Sequence, residues 1–253
     1  MTVFLFGSGV LGRYLFDYLS PFNDVCTVPG RSQDKLQRSL DILGSNDFVI
    51  DLLDPASFVS LTSDTIDKIV STREHLIAIT VAKYIYVSSS SVYQPSIELL
   101  NEFSSTINIG ATADSYPNHK LRNEQLVSNT CSSPYIIARL PNLWSAQLSE
   151  NKGFFLDLFQ SYHSSFQLPE RQGDDHVFSF MSYSHAAFLL GSLLFSDLHG
   201  LVNLPSKTYS SRLALKTRQN PPDLPATGRI LTTHREFDFD LYSRTMEDSW
   251  VYW

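Results

Sequence analysis

A tyrosine and a lysine four residues apart, Tyr116 and Lys120, are the side chains with the clearest capacity for chemistry. They open a segment with helical character, and residues four apart lie on the same face of a helix. A phenol, whose ordinary pKa is about 10, is a poor base at neutral pH. A neighbouring ammonium and a cationic nicotinamide both favour the phenolate form. The pair could therefore exchange a proton with a substrate oxygen while a hydride moves to or from a nicotinamide.

A cluster of four serines could supply the hydroxyl that such a reaction needs. The serines Ser88 to Ser91 close an apolar run, and the pattern predicts a strand over residues 84–88. This strand would deliver the hydroxyls at its carboxyl end, where open α/β sheets bind their ligands. We therefore expect one serine of the cluster to hydrogen-bond the reacting oxygen.

The N-terminal segment has the pattern of a dinucleotide-binding turn. A predicted strand from Thr2 ends at glycines in positions 7, 9 and 12, and a predicted helix follows from Arg13. In this pattern the first glycine allows the turn, the second lets backbone amides approach a pyrophosphate, and the third lets helix and strand pack closely. The pyrophosphate then lies at the positive end of the helix. The predicted cofactor-binding residues of this turn are Gly7, Ser8, Gly9, Val10, Leu11 and Gly12.

The ends of the next two predicted strands indicate how the adenosine part of the cofactor would be bound. After the strand over residues 24–28 there is no acidic residue, and Arg31 and Ser32 stand where the ribose would lie. A basic side chain there accommodates a 2'-phosphate, so NADP(H) is favoured and NAD(H) is the alternative. A third strand ends in Asp51 and Leu52, which we expect at the edge of the adenine pocket.

Predicted strands alternate with predicted helices, which indicates a parallel sheet covered on both faces. Residues 67–71 are predicted as a fourth, weaker strand, so that only residues 72–83 remain for the crossover to the next strand. A crossover needs about a dozen residues or more. This segment is therefore minimal, and either the chain has been shortened here or residues are missing from it. Further on, residues 209–219 are predicted as a helix.

Four motifs follow one another over the first part of the chain. They are G-S-G-V-L-G at residues 7–12, Y-V-S-S-S-S-V-Y at 86–93, Y-P-N-H-K at 116–120 with Glu124 following, and I-A-R-L-P-N-L-W at 137–144. In these motifs the chain resembles the extended branch of the short-chain dehydrogenase/reductase superfamily, which includes nucleotide-sugar epimerases, dehydratases and dTDP-4-dehydrorhamnose reductase.

The resemblance implies a fold, a division of the chain and an activity. The fold is α/β, a Rossmann-type doubly wound parallel sheet with a small C-terminal substrate lobe. Residues 1–150 would form the dinucleotide-binding domain, and residues 151–253 the remainder of the sheet and a reduced substrate lobe. The activity is that of an NAD(P)-dependent oxidoreductase or epimerase that transfers a hydride at a secondary alcohol or ketone of a nucleotide-sugar.

The resemblance also implies roles for single residues. The first serine of the S-x-x-V-Y pattern, Ser89, would be the catalytic serine, with Ser90 as the alternative. Tyr116 would be the general acid/base, and Lys120 would favour its phenolate and hold the ribose hydroxyls. Both also count as cofactor-binding residues, together with Asn142.

Two departures from the family pattern bear on the substrate. The basic residue that often grips a sugar-nucleotide diphosphate has no clear counterpart in Asp174-Asp175-His176, and the usual V-D-D appears as Tyr183-Ser184-His185. A reductase of a small, non-nucleotide carbonyl compound is therefore one alternative. A catalytically inactive dinucleotide-binding redox sensor is the other. The tyrosine–lysine pair speaks against a sensor, and the minimal crossover speaks for it.

Composition excludes several other classes of function. The chain has 253 residues, with 19 Lys and Arg against 26 Asp and Glu, and its net charge of -7 argues against nucleic acid and anionic membranes as partners. Two cysteines without metal-type spacing, seven histidines without a metal motif and no signal-peptide pattern indicate a cytoplasmic protein without a metal. The expected partner is a small-molecule substrate, and a homodimer is the default assumption.

Overall fold

The computed structural model describes residues 1–30, 32–54, 63–96, 98–108, 115–152, 154–163, 175–206, 209–217, 228–229 and 233. Along these residues, strands and helices alternate as in α/β proteins. The strands are β1 (Thr2–Phe6), β2 (Asp24–Val28), β3 (Phe48–Asp51), β4 (Lys83–Ser89), β5 (Tyr135–Leu140), β6 (Asn142–Trp144), β7 (Val177–Ser182), β8 (Gly200–Asn203), β9 (Tyr209–Ser211) and β10 (Gly228–Arg229). The helices are α1 (Val10–Leu19), α2 (Gln33–Ile42), α3 (Ser63–Ala78), α4 (Tyr116–Thr130), α5 (Phe154–His163), α6 (Tyr183–Leu194) and α7 (Arg212–Thr217).

Six strands form one parallel sheet in the order β2-β1-β3-β4-β5-β8. Helices cover both faces of this sheet. Leu15 of α1 and Leu190 of α6 belong to the buried cluster on one face. Leu36 of α2, Leu76 of α3 and Val127 of α4 belong to the cluster on the other. The predicted Rossmann-type, doubly wound α/β fold is confirmed.

The strand order places the crevice for a ligand between β1 and β3. The chain passes from β1 to β2 on one side and returns to β3 on the other, so the winding direction reverses between β1 and β3. Open α/β sheets bind ligands outside the carboxyl ends of the strands at such a reversal. In the usual dinucleotide-binding order, 3-2-1-4-5-6, a further strand lies outside the second one. No strand in the described part of this chain occupies that position.

The predicted fourth strand at residues 67–71 is wrong, because these residues lie inside α3. The buried residues Ile69, Thr72, Arg73, Leu76 and Ile77 recur at helical spacing, a period that a five-residue window does not reveal. The crossover from β3 to β4 therefore contains a 16-residue helix. The inference of a shortened segment at 72–83 depended on that strand and is therefore also wrong. It no longer supports a redox sensor.

A smaller sheet follows in the second half of the chain. It has the order β10-β7-β6, and β9 pairs with β7 in antiparallel orientation. The helix predicted over residues 209–219 is thus only partly right: residues 209–211 form β9 because they pair with β7, and α7 covers 212–217. β8 joins the main sheet beside β5, while the domain boundary at residue 150 stays a prediction.

No helix in the described ranges combines the length and the apolar character needed to cross a membrane.

Candidate active site

The glycine turn connects the end of β1 to the start of α1. Gly7 has a φ of 127°, and a Cβ there would lie 2.5 Å from the carbonyl oxygen of Leu52. A Cβ at Gly12 would lie 2.3 Å from the carbonyl oxygen of Gly7, whereas a Cβ at Gly9 would have no atom within 4 Å. Backbone packing therefore requires Gly7 and Gly12 to be glycine. Gly9 instead leaves open space beside the backbone.

The N-terminus of α1 is open for an anion. Gly9 is the N-cap residue, and no side chain caps the helix. As in every helix, the N–H groups of the first turn, those of Val10, Leu11 and Gly12, have no intrahelical acceptor, and the N-cap residue supplies none here. Ser8 is exposed beside them. Such N–H groups, together with the helix dipole, make this end of the helix a suitable place for a pyrophosphate.

The two residues predicted at the adenine pocket differ in their surroundings. Leu52 lies against Gly7 in the glycine turn. Asp51 is fully buried, and its carboxylate accepts hydrogen bonds from Arg73 Nε at 2.6 Å and from the Tyr84 hydroxyl at 2.6 Å. Because β3 pairs with β1 on the side away from β2, Asp51 is also separated from the end of β2. The Asp51 carboxylate is thus engaged inside the protein, and a place for this residue at the adenine pocket stays a prediction.

Two further predicted cofactor contacts, Ser32 and Asn142, lie after β2 and at the start of β6. Ser32 is the N-cap residue of α2 and is partly buried. Arg31 lies outside the described residues. Asn142 is exposed just after β5, and its Nδ2 donates to the carbonyl oxygen of Ser179 at 3.4 Å.

The serine cluster ends β4 and begins a short 3-10 helix. The Ser88 hydroxyl donates to Glu124 inside the protein. The Ser89 side chain is partly exposed, and its oxygen accepts the N–H of Ser91 at 3.2 Å. Ser90 is buried. Of the two serines that the family pattern allows, Ser89 is thus the more accessible, and its catalytic role stays a prediction.

Helix α4 places Tyr116 and Lys120 beside the carboxyl end of β4. The helix begins at Tyr116, and the side chain of Ser115 caps it by accepting the N–H of Asn118 at 3.4 Å. Lys120 Nζ lies 5.7 Å from the centroid of the Tyr116 ring and donates to the carbonyl oxygen of Val87 at 2.6 Å. Tyr116 is partly exposed, while Lys120 is only 4% exposed. Tyr116 thus remains partly open to solvent, and the Lys120 ammonium lies deeper in the protein.

Lys120 also belongs to a buried cluster of charges. Asp54, just after β3, accepts hydrogen bonds from Lys120 Nζ at 2.8 Å, from the Tyr86 hydroxyl at 2.6 Å and from Arg73 Nη2 at 2.9 Å. Its Oδ1 lies 3.0 Å from His119 Nε2. Arg73 also binds Asp51. Two carboxylates thus face two cations in the interior, and their formal charges balance.

The electrostatics keep Asp54, Lys120 and Arg73 ionised. Burial by itself would raise the pKa of Asp54, but Arg73 and Lys120 hold that pKa well below its usual value. Burial would likewise lower the pKa of Lys120, yet the Asp54 carboxylate raises it above the ordinary lysine value. The pKa of Arg73 is raised against the effect of burial by Asp51 and Asp54. Lys120 is therefore an ammonium at neutral pH, as the predicted chemistry requires.

We expect Arg73→Met to lower the free energy of unfolding by about 3–5 kcal/mol, because it leaves two buried carboxylates without their shared cation. Denaturant unfolding monitored by circular dichroism measures the loss. Lys68→Met is the matched control on the same helix, since Lys68 pairs with Asp64 in solvent, and it should change stability by less than about 0.5 kcal/mol. Equal effects of the two substitutions would contradict the structural role of Arg73.

A second buried ion pair fixes α4 against β5. Arg139 donates from Nε to Glu124 Oε1 at 2.9 Å and from Nη2 to Oε2 at 2.5 Å. Its guanidinium lies 4.5 Å from the centroid of the Tyr93 ring. Glu124 and Arg139, which stand in two of the four motifs, therefore hold together the elements that carry the tyrosine, the lysine and the serines.

A further polar and aromatic cluster joins α1, α6 and the segment that carries Ser145 and Glu150. The buried Glu150 accepts hydrogen bonds from the Tyr14 hydroxyl at 2.8 Å and from Ser145 Oγ at 2.5 Å, and it pairs with Arg13. Burial opposes the charge on Glu150, but these hydrogen bonds and Arg13 hold its pKa below the usual value. Tyr14 stacks on Tyr183 with ring centroids 5.9 Å apart. This contact links α1 to the start of α6.

The structure thus brings most of the predicted residues to the carboxyl ends of the parallel strands. The glycine turn follows β1, Leu52 follows β3, Ser89 ends β4, and the helix with Tyr116 and Lys120 lies against β4. Sequence reasoning missed Asp54, Arg73, His119 and Glu150. No local pattern in the sequence indicates that these residues form charge clusters.

Comparison with known proteins gives structural matches only. No protein-family model matches the sequence, and no curated protein sequence does. Many solved structures do match, and three of them are described below.

A dTDP-4-dehydrorhamnose reductase from Clostridium acetobutylicum has a TM-score of 0.68 and 16% identity, over 92% of this chain and 90% of that one. A UDP-glucose 4-epimerase from Thermus thermophilus, in complex with NAD, has a TM-score of 0.66 and 14% identity, over 92% and 90%. The human epimerase family protein SDR39U1, with NADPH, has a TM-score of 0.62 and 16% identity, over 89% and 83%. The chain therefore has the fold of the epimerases and reductases that its motifs resemble.

Proposed function

We propose that this protein is an NAD(P)-dependent oxidoreductase or epimerase of the extended short-chain type, which transfers a hydride at a secondary alcohol or ketone of a nucleotide-sugar. The observation that carries the proposal is the placement of Tyr116 and Lys120. Their helix lies at the carboxyl end of β4, on the same side of the sheet as the open glycine turn that follows β1. A partly exposed phenol and a buried ammonium are the groups that proton exchange with an alcohol or a ketone requires.

Two features of the site support a nicotinamide dinucleotide as its cofactor. The first turn of α1 would bind the pyrophosphate, because its N–H groups are uncapped and Gly9 faces open space. Lys120 would hold the ribose. When bound, the dinucleotide supplies or accepts the hydride. Tyr116 would give a proton to the substrate oxygen or take one from it, and Ser89 would hydrogen-bond that oxygen.

The cofactor preference rests on Arg31. We expect Arg31→Ala to weaken NADPH binding by roughly tenfold or more while NADH binding stays within about twofold, because only NADPH carries the 2'-phosphate that an arginine binds with a charge-assisted hydrogen bond. Isothermal titration with both cofactors measures the effect. An equal loss for the two cofactors, or no loss, would contradict this role. Arg38→Ala, on the following helix α2, is the control for a general loss of positive charge.

The substrate class can be tested by turnover. The purified enzyme is incubated with NADPH or NADP⁺ and with sets of nucleotide-sugars, their 4-keto derivatives and simple ketones and alcohols, while the absorbance of the reduced cofactor is recorded. Epimer formation is analysed separately, because a transient oxidation leaves no net change in the cofactor. Turnover of simple ketones alone would favour the small-carbonyl reductase. That alternative draws on the absence of a clear diphosphate-binding residue at 174–176.

A further inference from the structure

A lysine as deeply buried as Lys120 stays charged only with a counterion. Its exposed fraction is 4%, and transfer of an ammonium into a protein interior favours its neutral form. The carbonyl oxygen of Val87, at 2.6 Å, is a hydrogen-bond acceptor without a net charge. The carboxylate that meets Nζ is that of Asp54, at 2.8 Å.

The surroundings of Asp54 fix the direction in which its carboxylate points. Oδ2 accepts hydrogen bonds from Lys120 Nζ and the Tyr86 hydroxyl. Oδ1 accepts one from Arg73 Nη2 and lies 3.0 Å from His119 Nε2. With donors on both oxygens and a side chain that is 1% exposed, the carboxylate has little freedom to rotate. Nζ is therefore held from one side by Asp54 and from another by the backbone of β4.

We propose that Asp54 is a positioning residue of this active site: its carboxylate keeps the Lys120 ammonium charged and in place behind Tyr116. The proposal rests on the proposed function, because the ammonium matters there for the proton exchange at Tyr116 and for the ribose. Asp54 touches neither substrate nor cofactor in this role. It acts through Lys120.

The arrangement leaves Lys120 with capacity for a ligand. An ammonium has three N–H donors. Asp54 and Val87 accept two of them, so one donor remains for a ribose hydroxyl. The Asp54 contact thus orients the ammonium without using up its hydrogen bonds.

The charged and titratable groups that face Lys120 come from four elements. Asp54 follows β3, Arg73 lies on α3, Tyr86 on β4, and Tyr116 and His119 on α4. Arg73 opposes the charge on Lys120, and Asp54 is the group that supports it most strongly. When Asp54 loses its charge, burial and Arg73 act together against the ammonium.

The test follows the ionisation of Lys120 directly. Protein labelled with ¹³C at the lysine ε carbons is titrated by NMR, and the Lys120 signal is assigned as the one missing in Lys120→Arg. In the native protein we expect Lys120 to stay charged to higher pH than the exposed lysines. In Asp54→Asn we expect its signal to titrate at clearly lower pH. Turnover should fall in that variant by roughly 10–100-fold. This is the loss typical in metal sites when a residue that orients a ligand through a hydrogen bond is replaced, and Asp54 orients Lys120 in the same way.

Asp51→Asn is the matched control for this titration. Asp51 is as deeply buried as Asp54 and shares Arg73 with it, but it makes no hydrogen bond to Lys120. The control should therefore lose stability while the Lys120 signal moves much less than in Asp54→Asn. Equal movement in the two variants, or none in Asp54→Asn, would overturn the proposal.

If Asp54→Asn does not fold, the titration of Lys120 in the native protein still tests the proposal. A Lys120 signal that titrates with the exposed lysines, or below them, would overturn the proposal without any variant of Asp54. The titration needs neither cofactor nor substrate. Its failure is thus distinct from a failure of the proposed function, which would appear as absent cofactor binding with the Lys120 titration unchanged.

Discussion

Tyr116→Phe should reduce turnover by about 100- to 10,000-fold, the range that general acid/base groups contribute, because the hydroxyl that exchanges the proton at the start of α4 is lost. Cofactor affinity should stay within about twofold, since the ring remains and only its hydroxyl is lost. The two quantities are measured separately, turnover with the substrate found by screening and affinity by nicotinamide fluorescence.

Tyr135→Phe is the control for this substitution. Tyr135 is the first residue of β5, so it lies at the amino ends of the strands, away from the site, and it is also partly buried. The substitution removes the same hydroxyl group. It should leave turnover unchanged. A Tyr116→Phe enzyme with turnover close to that of the native protein would remove Tyr116 from the reaction, even if the cofactor site proved correct.

Gly9→Val should abolish cofactor binding and leave the fold intact. A Cβ at this position meets no atom within 4 Å, and the backbone φ of -71° is accessible to valine. The added side chain would occupy the space through which phosphate oxygens approach the N–H groups of α1. Loss of two hydrogen bonds to charged groups, at about 1.5–3 kcal/mol each, lowers affinity by at least about 100-fold. Fluorescence titration gives the affinity, and thermal unfolding confirms the fold.

Gly12→Ala provides the contrast within the same turn. Its Cβ would lie 2.3 Å from the carbonyl oxygen of Gly7, so that the backbone must move and stability must fall. We therefore expect Gly12→Ala to lower the melting temperature and Gly9→Val to leave it nearly unchanged. A Gly9→Val protein that binds NADPH as tightly as the native one would show that no pyrophosphate lies at this turn.

The features that sequence reasoning found are those with a local pattern. The glycine pattern is a run of six residues from the end of β1 into the first turn of α1, and Tyr116 and Lys120 are one helical turn apart. The strands that face helices on both sides are nearly continuous apolar runs, which the sequence displays directly. The α/β fold and the position of the candidate site could therefore be predicted.

The charge cluster could not be predicted, because its members are distant in the sequence. Asp54 meets Arg73 across 19 residues and Lys120 across 66. Arg73 lies in a helix whose polar and apolar residues are mixed, so its burial is visible only once the helix packs on the sheet. The same helix misled the strand prediction at 67–71, where two adjacent apolar residues, Ile69 and Val70, outweighed the helical period of the longer segment.

The measurement that tests the proposed function most directly is a fluorescence titration of the purified native protein with NADPH and with NADH, repeated with Gly9→Val. The structure leads us to expect saturable binding of at least one reduced cofactor to the native protein, tighter for NADPH, and none to the variant. Absence of saturable binding of either cofactor to folded native protein would contradict the proposed function, because the uncapped turn of α1 would then bind no dinucleotide.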